Sequence, residues 1–276
     1  MERLIEGRQE QLFDARVEKL LNQMTLEEKV GQTVLGNASA EDIEVNVKLG
    51  KVSAVICDDL ELNNKLQRTA VEESRLGIPL IIGADVIHGY RTIFPLPLAE
   101  SCSWNPELME QTAALAAAEA ATMGVNWIYA PMVDISRDPR WGRIAEGAGE
   151  DPFLGRAVAQ ARVRGFQNAA LPGKRRIAAC QKHYAAYGFA EAGRDYNTVD
   201  ISERTLREVC LPPFKATFEA GSQTIMASFN EIGGVPSTSN GFLLKTILRQ
   251  EWKMNGVVVS DYNAIAELIN HGVAKD

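Results

Sequence analysis

Asp261 closes the run Gly256-Val-Val-Val-Ser-Asp261-Tyr262, and polar groups hold the same position elsewhere: Asp85 ends LIIGAD, and Lys182 and His183 end RIAACQKH. A carboxylate at the end of an apolar run can do chemistry at the mouth of a parallel sheet, or it can cap the helix that follows. Taken alone, Asp261 is the simpler helix cap. Asp85 is less easily explained as a cap, because the residues after it, VIHGYRTIFPLP, read as an irregular loop. Arg91 in that loop reads equally well as a surface charge and as a site residue. Lys182 and His183 are costly to bury unless acids face them, and their flanks, including Tyr184 and Tyr187, are apolar or aromatic. Met226 and Phe229, in MASFN, read as ordinary core.

The most unusual stretch is the loop 134–152, DISRDPRWGRIAEGAGEDP, dense in Arg, Asp and Glu around Trp141. Loops of this length tend to be functional or disordered, and the embedded tryptophan argues for order. An aromatic ring among arginines and acids suits a sugar, whose apolar face stacks on rings while its hydroxyls meet charged groups.

Such residues need a scaffold that brings distant strand ends together. The valines before Asp261 form a short β-branched run without alternation, the pattern of a strand buried on both faces of a parallel sheet. Similar runs predict strands over 32–35, 52–57, 79–85, 126–132, 176–183, 224–230 and 256–261. Helices are predicted over 63–75, 106–123, 155–167, 203–220 and 241–251, with a charged amphipathic helix over 1–30 restarted at the signal Thr25-Leu-Glu-Glu28. Alternation of β and α implies a parallel sheet with right-handed crossovers. No glycine-rich fingerprint opens the first helices, which disfavours a dinucleotide fold. Polar residues at many strand ends instead point to an α/β fold of the TIM-type (β/α) barrel class. About seven of its eight units are present, so the barrel is expected to be incomplete at its C-terminus and the chain a fragment of a longer protein.

Bulk properties narrow the function. A length of 276 residues with 46% hydrophobic content allows one barrel, and a net charge of −7 argues against nucleic acid. No apolar run is long enough to span a bilayer, and the N-terminus lacks a signal-peptide pattern, so a cytoplasmic location is expected. Cys57, Cys102, Cys180 and Cys210 lack metal-ligand spacing and read as buried free thiols. No metal or cofactor is expected.

The segments MTLEEKVGQ, GADVIHGYRTIFP, APMVDISRDPRWGRIAEGAGEDPFL, KHYAAYG, GRDYNTVDIS, LPPFKA, MASFNEIGGVPS and GVVVSDY together resemble glycoside hydrolase family 3, in its β-glucosidase-type branch. The resemblance runs in family order through nearly the whole chain. It implies that 1–276 is the barrel domain, and that the reaction is retaining hydrolysis of terminal β-D-glucosyl or related residues. It makes Asp261 the nucleophile. It makes Asp85, Arg143, Lys182 and His183 holders of the sugar hydroxyls, Arg91 and Glu146 supports of that subsite, and Met226 and Phe229 its lining. Members often carry Tyr at the position of Phe229 and Trp at that of Tyr262, so Asp261 loses one orienting hydroxyl and Tyr262 offers a smaller stacking surface.

The resemblance also implies that the general acid/base is a Glu of a following domain, absent from this chain. The Pro-Gly-His-Gly core that supplies a catalytic His in the single-domain branch is missing from KHYAAYG. Family relatives are often periplasmic or secreted. The expected partners are a β-glucoside or β-linked oligosaccharide, the missing C-terminal domain, and a second copy paired through bare sheet edges. Two other readings are a catalytically incomplete sugar-binding fragment and an aldolase-like barrel forming a Schiff base on Lys182.

Overall fold

The computed structural model describes residues 15–169 and 177–276. Most of the predicted helix over 1–30 lies outside them, as does the first residue of the strand predicted over 176–183. The chain forms two compact units, residues up to Gly83 with Met123–Val125, and Ala84–Thr122 with Asn126–Asp276.

The first unit opens on a capping box. The Thr25 side chain accepts from the Glu28 amide while Glu28 accepts from the Thr25 amide, starting the helix Leu26–Gly31. Glu28 is also bonded by Arg75, whose Nε lies 2.9 Å from Oε1. Strands β1 (Leu35–Asn37), β2 (Ala54–Ile56) and β3 (Ile81–Ala84) run parallel, with Leu35 opposite Ala54 and Ala54 opposite Ile81. The first strand lies a few residues beyond the predicted 32–35, because Gln32 instead caps the end of the preceding helix.

The second unit carries the chemistry. It takes up β3 at its last residue, Ala84, whose carbonyl accepts from the Tyr129 amide at 3.0 Å. Strands β4 (Trp127–Ile128), β5 (Ala178–Tyr184) and β6 (Thr224–Ala227) follow. A short hairpin, β7 (Glu231–Ile232) and β8 (Val235–Pro236), separates them from β9 (Val257–Ser260). β4–β5, β5–β6 and β6–β9 are all parallel pairs. Gly256 is required before β9, since a Cβ there would sit 1.8 Å from the Gln223 carbonyl oxygen. Helices Pro106–Thr122 and Pro152–Asn168 pack so closely that a Cβ on Gly165 would meet the Glu110 carbonyl at 2.3 Å. The alanine stripe of the first, including Ala113, Ala116 and Ala117, is buried. One hydrophobic core cluster joins Tyr184, Phe214, Ile225, Leu243 and Ile247 across β5, β6 and the helices Leu211–Glu219 and Phe242–Glu251.

All seven predicted strands exist, in chain order, joined by helical crossovers. They are seven units of an incomplete TIM-type (β/α) barrel. Two sequence expectations need correction. β9 is not buried on both faces: Val257 is 55% exposed and the rest of the strand half-buried, because its only partner strand among the described residues is β6. Cys102 is exposed, while Cys57, Cys180 and Cys210 are buried. No helix among the described residues is long and apolar enough to cross a membrane.

Candidate active site

β5 places two basic residues at one end of the sheet. In a regular strand Lys182 and His183 would point to opposite faces, but the pairing register with β6 shifts between Gln181 and Tyr184, and such irregularities re-aim side chains. Both are buried, and both meet acids. Lys182 Nζ lies 2.5 Å from Asp85 Oδ1 on the loop after β3. His183 is held from behind by Asp134, whose Oδ2 is 2.8 Å from the His183 main-chain nitrogen and 2.9 Å from Nδ1. On its other side His183 Nε2 faces Asp261 Oδ2 at 3.6 Å, at the end of β9. Three strand ends thus contribute one line of titratable groups, Asp85–Lys182–His183–Asp261.

Asp261 does not cap the helix that follows. Its Oδ1 accepts from the neighbouring Tyr262 amide at 2.7 Å, and the cap position of helix Ala264–Glu267 belongs to Asn263. Asp261 Oδ2 is covered but has no hydrogen-bond partner among the described residues.

The loop 134–152 is ordered around the same site. Its turn Gly142–Glu146 carries Arg143, which forks onto Glu146 at 2.7 and 3.1 Å. The guanidinium carbon lies 5.6 Å from the centre of the Tyr187 ring. Burial works against the Arg143 cation, but the Glu146 carboxylate outweighs it and raises its pKa. Trp141 is buried and donates from Nε1 to Asp195 at 2.9 Å. Tyr187 is the hub of an aromatic group, with ring centres 5.2 Å from Trp141, 5.2 Å from His183 and 6.1 Å from Phe229. Tyr196 extends it, 5.0 Å from Phe229.

Burial sets the protonation of the inner pair. It pushes His183 down to about 3, with the Arg143 and Lys182 cations acting in the same direction. It pushes Asp134 up to about 7, against the lowering effect of the His183 main-chain donor.

Of the residues singled out from sequence, Asp85, Arg143, Glu146, Lys182, His183, Phe229 and Asp261 are linked by these contacts. Met226 is buried on β6 opposite Val259 of β9. Tyr262 is 79% exposed beside Asp261. Arg91 is exposed on the loop after Asp85, where Glu119 accepts from its amide and that of Thr92, both at 2.8 Å. Sequence reasoning gave no role to Asp134, Tyr187 or Asp195. The only signal was that Asp134 opens the charged loop and Tyr187 follows Lys182-His183.

Residues 25–276 match the family model of the glycosyl hydrolase family 3 N terminal domain, and the chain belongs to that family. It is 41% identical over 268 residues to a periplasmic beta-glucosidase of Salmonella typhimurium, covering 95% of this chain and 35% of the relative. A putative beta-xylosidase of Formosa agariphila is 35% identical, over 93% of this chain and 37% of its own length. A crystal structure of a beta-glucosidase from Listeria innocua in complex with isofagomine superposes with a TM-score of 0.88 at 39% identity, covering 95% of this chain and 38% of that one. The chain therefore spans just over a third of the length of these relatives.

Proposed function

We propose that this chain is the sugar-holding and nucleophile-bearing barrel domain of a retaining β-glycosidase acting on terminal β-D-glucosyl residues. The observation that carries the reading is the line Asp85–Lys182–His183–Asp261, with ammonium and carboxylate 2.5 Å apart at one end and, at the other, a covered carboxylate oxygen without a hydrogen-bond partner among the described residues. Asp85, Lys182, His183 and Arg143 hold the hydroxyls of the sugar. Phe229 and Met226 line the subsite, Tyr262 sits at its exposed edge, and Glu146 and Arg91 support it. Asp261 Oδ2 attacks the anomeric carbon as the glycosidic bond breaks, forming a glycosyl-enzyme that water then hydrolyses. The leaving oxygen takes its proton from an acid outside this chain, a Glu of a following domain. A β-xylosyl residue is the second substrate, supported by the beta-xylosidase relative. An aldolase-like role for Lys182 is disfavoured by its ion pair with Asp85. The periplasmic relative supports export of the whole protein over a cytoplasmic location.

The test is mass spectrometry after treatment with a 2-deoxy-2-fluoroglucosyl fluoride. Label on Asp261 is expected, and label on another residue overturns the assignment. The isolated chain should cleave a dinitrophenyl β-glucoside slowly and an alkyl glucoside hardly at all. A proton donor is worth about 10²–10⁴-fold, so the longer protein should rescue the alkyl substrate most.

A further inference from the structure

We propose that Asp134 is a positioning residue that locks His183 as its Nδ1–H tautomer, leaving Nε2 a bare acceptor that takes a hydrogen bond from one sugar hydroxyl. The assignment of a sugar rests on the glycosidase reading above; the tautomer does not.

A single oxygen, Asp134 Oδ2, lies within hydrogen-bond distance of two groups of His183. The main-chain N–H can only donate, so Oδ2 must accept there. Nδ1, 2.9 Å from the same oxygen, completes the arrangement as a second donor. Asp134 and His183 are both buried, so a charged ring must be paid for by its surroundings. The surroundings are mixed: Arg143 and Lys182 oppose an imidazolium, while Asp261 and Glu146 favour one, and burial decides for the neutral ring. A neutral ring has one ring proton. With that proton on Nδ1, Nε2 carries only a lone pair.

That lone pair points into an unfinished contact. Nε2 faces Asp261 Oδ2 at 3.6 Å, and Oδ2 has no donor among the described residues. Two acceptors face each other, and an O–H lying beside them completes one of the two by donating its single proton. A sugar hydroxyl is such a donor. The Tyr187 ring, edge-on to His183 at 5.2 Å, hinders rotation of the imidazole out of this alignment. The site would then distinguish a hydroxyl from a fluorine of similar size, because fluorine can only accept. Leaving a buried acceptor unsatisfied costs about 10- to 100-fold in affinity.

The experiment uses the 276-residue chain with ¹⁵N-labelled histidine, three histidines in all, assigned with His183→Gln. The spectrum is taken at pH 8, above the value to which burial pushes Asp134. A protonated Nδ1 with a bare Nε2 on His183 is expected. Asp134→Asn should keep this tautomer, because one amide oxygen can accept from both donors. Asp134→Ala should release it to the Nε2–H form or a mixture. A protonated Nε2 or an imidazolium in the unaltered chain overturns the proposal. If Asp134→Ala does not fold, the unaltered chain and Asp134→Asn still decide.

Calorimetric titration with glucose and its deoxy and deoxyfluoro analogues reads the consequence. At the hydroxyl that His183 accepts from, the fluoro analogue should bind as weakly as the deoxy one, about tenfold or more below glucose. Fluoro analogues that bind as well as glucose where the deoxy sugars fail would show a donor at Nε2 and overturn it. A chain that binds no glucose would sink the glycosidase reading, while the ¹⁵N pattern would still decide the tautomer.

Discussion

β5 and β9 end in the two halves of the same site, and they are supported very differently. β5 is hydrogen-bonded on both sides, to β4 and β6, and every residue from Ala179 to Tyr184 is buried. Its Lys182 and His183 are each seated on a carboxylate. Among the described residues β9 is paired with β6 alone, Val257 is largely exposed, and the Asp261 carboxylate accepts a hydrogen bond from its neighbour's amide and faces His183 Nε2 at 3.6 Å. The groups proposed to hold the ligand are thus seated on carboxylates in the unliganded chain, whereas the proposed nucleophile sits at a half-supported edge with one oxygen lacking a hydrogen-bond partner among the described residues.

The largest expected effect tests the β9 half. Asp261→Asn should lower turnover of an activated aryl β-glucoside by at least about 10³-fold, because the intermediate cannot form. Steady-state assay of the longer protein measures it, and turnover equal to that of the unaltered enzyme would remove Asp261 from the chemistry.

The second prediction tests how deeply the binding half is supported. Arg162 and Glu100 form a buried ion pair at 2.5 Å, and Arg162 also donates to the Ile87 carbonyl on the loop that carries Asp85. Arg162→Met leaves Glu100 buried without its cation and should cost about 3–5 kcal/mol. Urea unfolding of the variant measures the loss. A loss below 1 kcal/mol would mean that the loop is held mainly by other contacts.

The third concerns the inner pair and pH. The unfolded His183 gains its proton near 6.5 while the folded one waits until about 3, so its contribution to stability is lost as pH falls through that window. Asp134 has the opposite sign. Folded, it takes up its proton at about 7, well above the unfolded carboxyl, so its contribution grows as pH falls. The two largely cancel in the unaltered chain. Asp134→Asn removes the second and should expose the first, a loss of up to about 2 kcal/mol between pH 6.5 and 5 relative to the unaltered chain. Denaturant midpoints across that range check it; parallel curves for the two proteins would contradict the sign.

The smallest effect returns to the edge. Val257→Glu, on the exposed face of β9, should change stability by no more than about 0.5 kcal/mol. It should reduce self-association of the chain, because a charge on an edge strand opposes strand pairing. Sedimentation at rising concentration reads this, and hydrogen exchange should find β9 amides less protected than those of β5.

The strands were legible because their runs are short, β-branched and uninterrupted, and the strand-end position of Asp85, Lys182, His183 and Asp261 followed from where each run stops. Sequence order also placed Trp141 in a loop that had to be ordered. Periodicity could not show that Lys182 and His183 share one site, because alternation puts neighbours on opposite faces and only the register shift beside β6 undoes it. Nor could it show that β9 lies open to solvent. A valine run is the same whether one strand or two flank it, and burial is a property of the neighbours. Asp134 was one acid among many in a charged loop. Its grip on His183, 49 positions away in the chain, exists only once β4 and β5 are paired. The local sequence determined which groups stand at the strand ends, since that depends on backbone propensity and side-chain type. Tertiary structure alone decided which of them meet, which are desolvated and which oxygen is left without a donor, because those depend on residues brought together by the sheet.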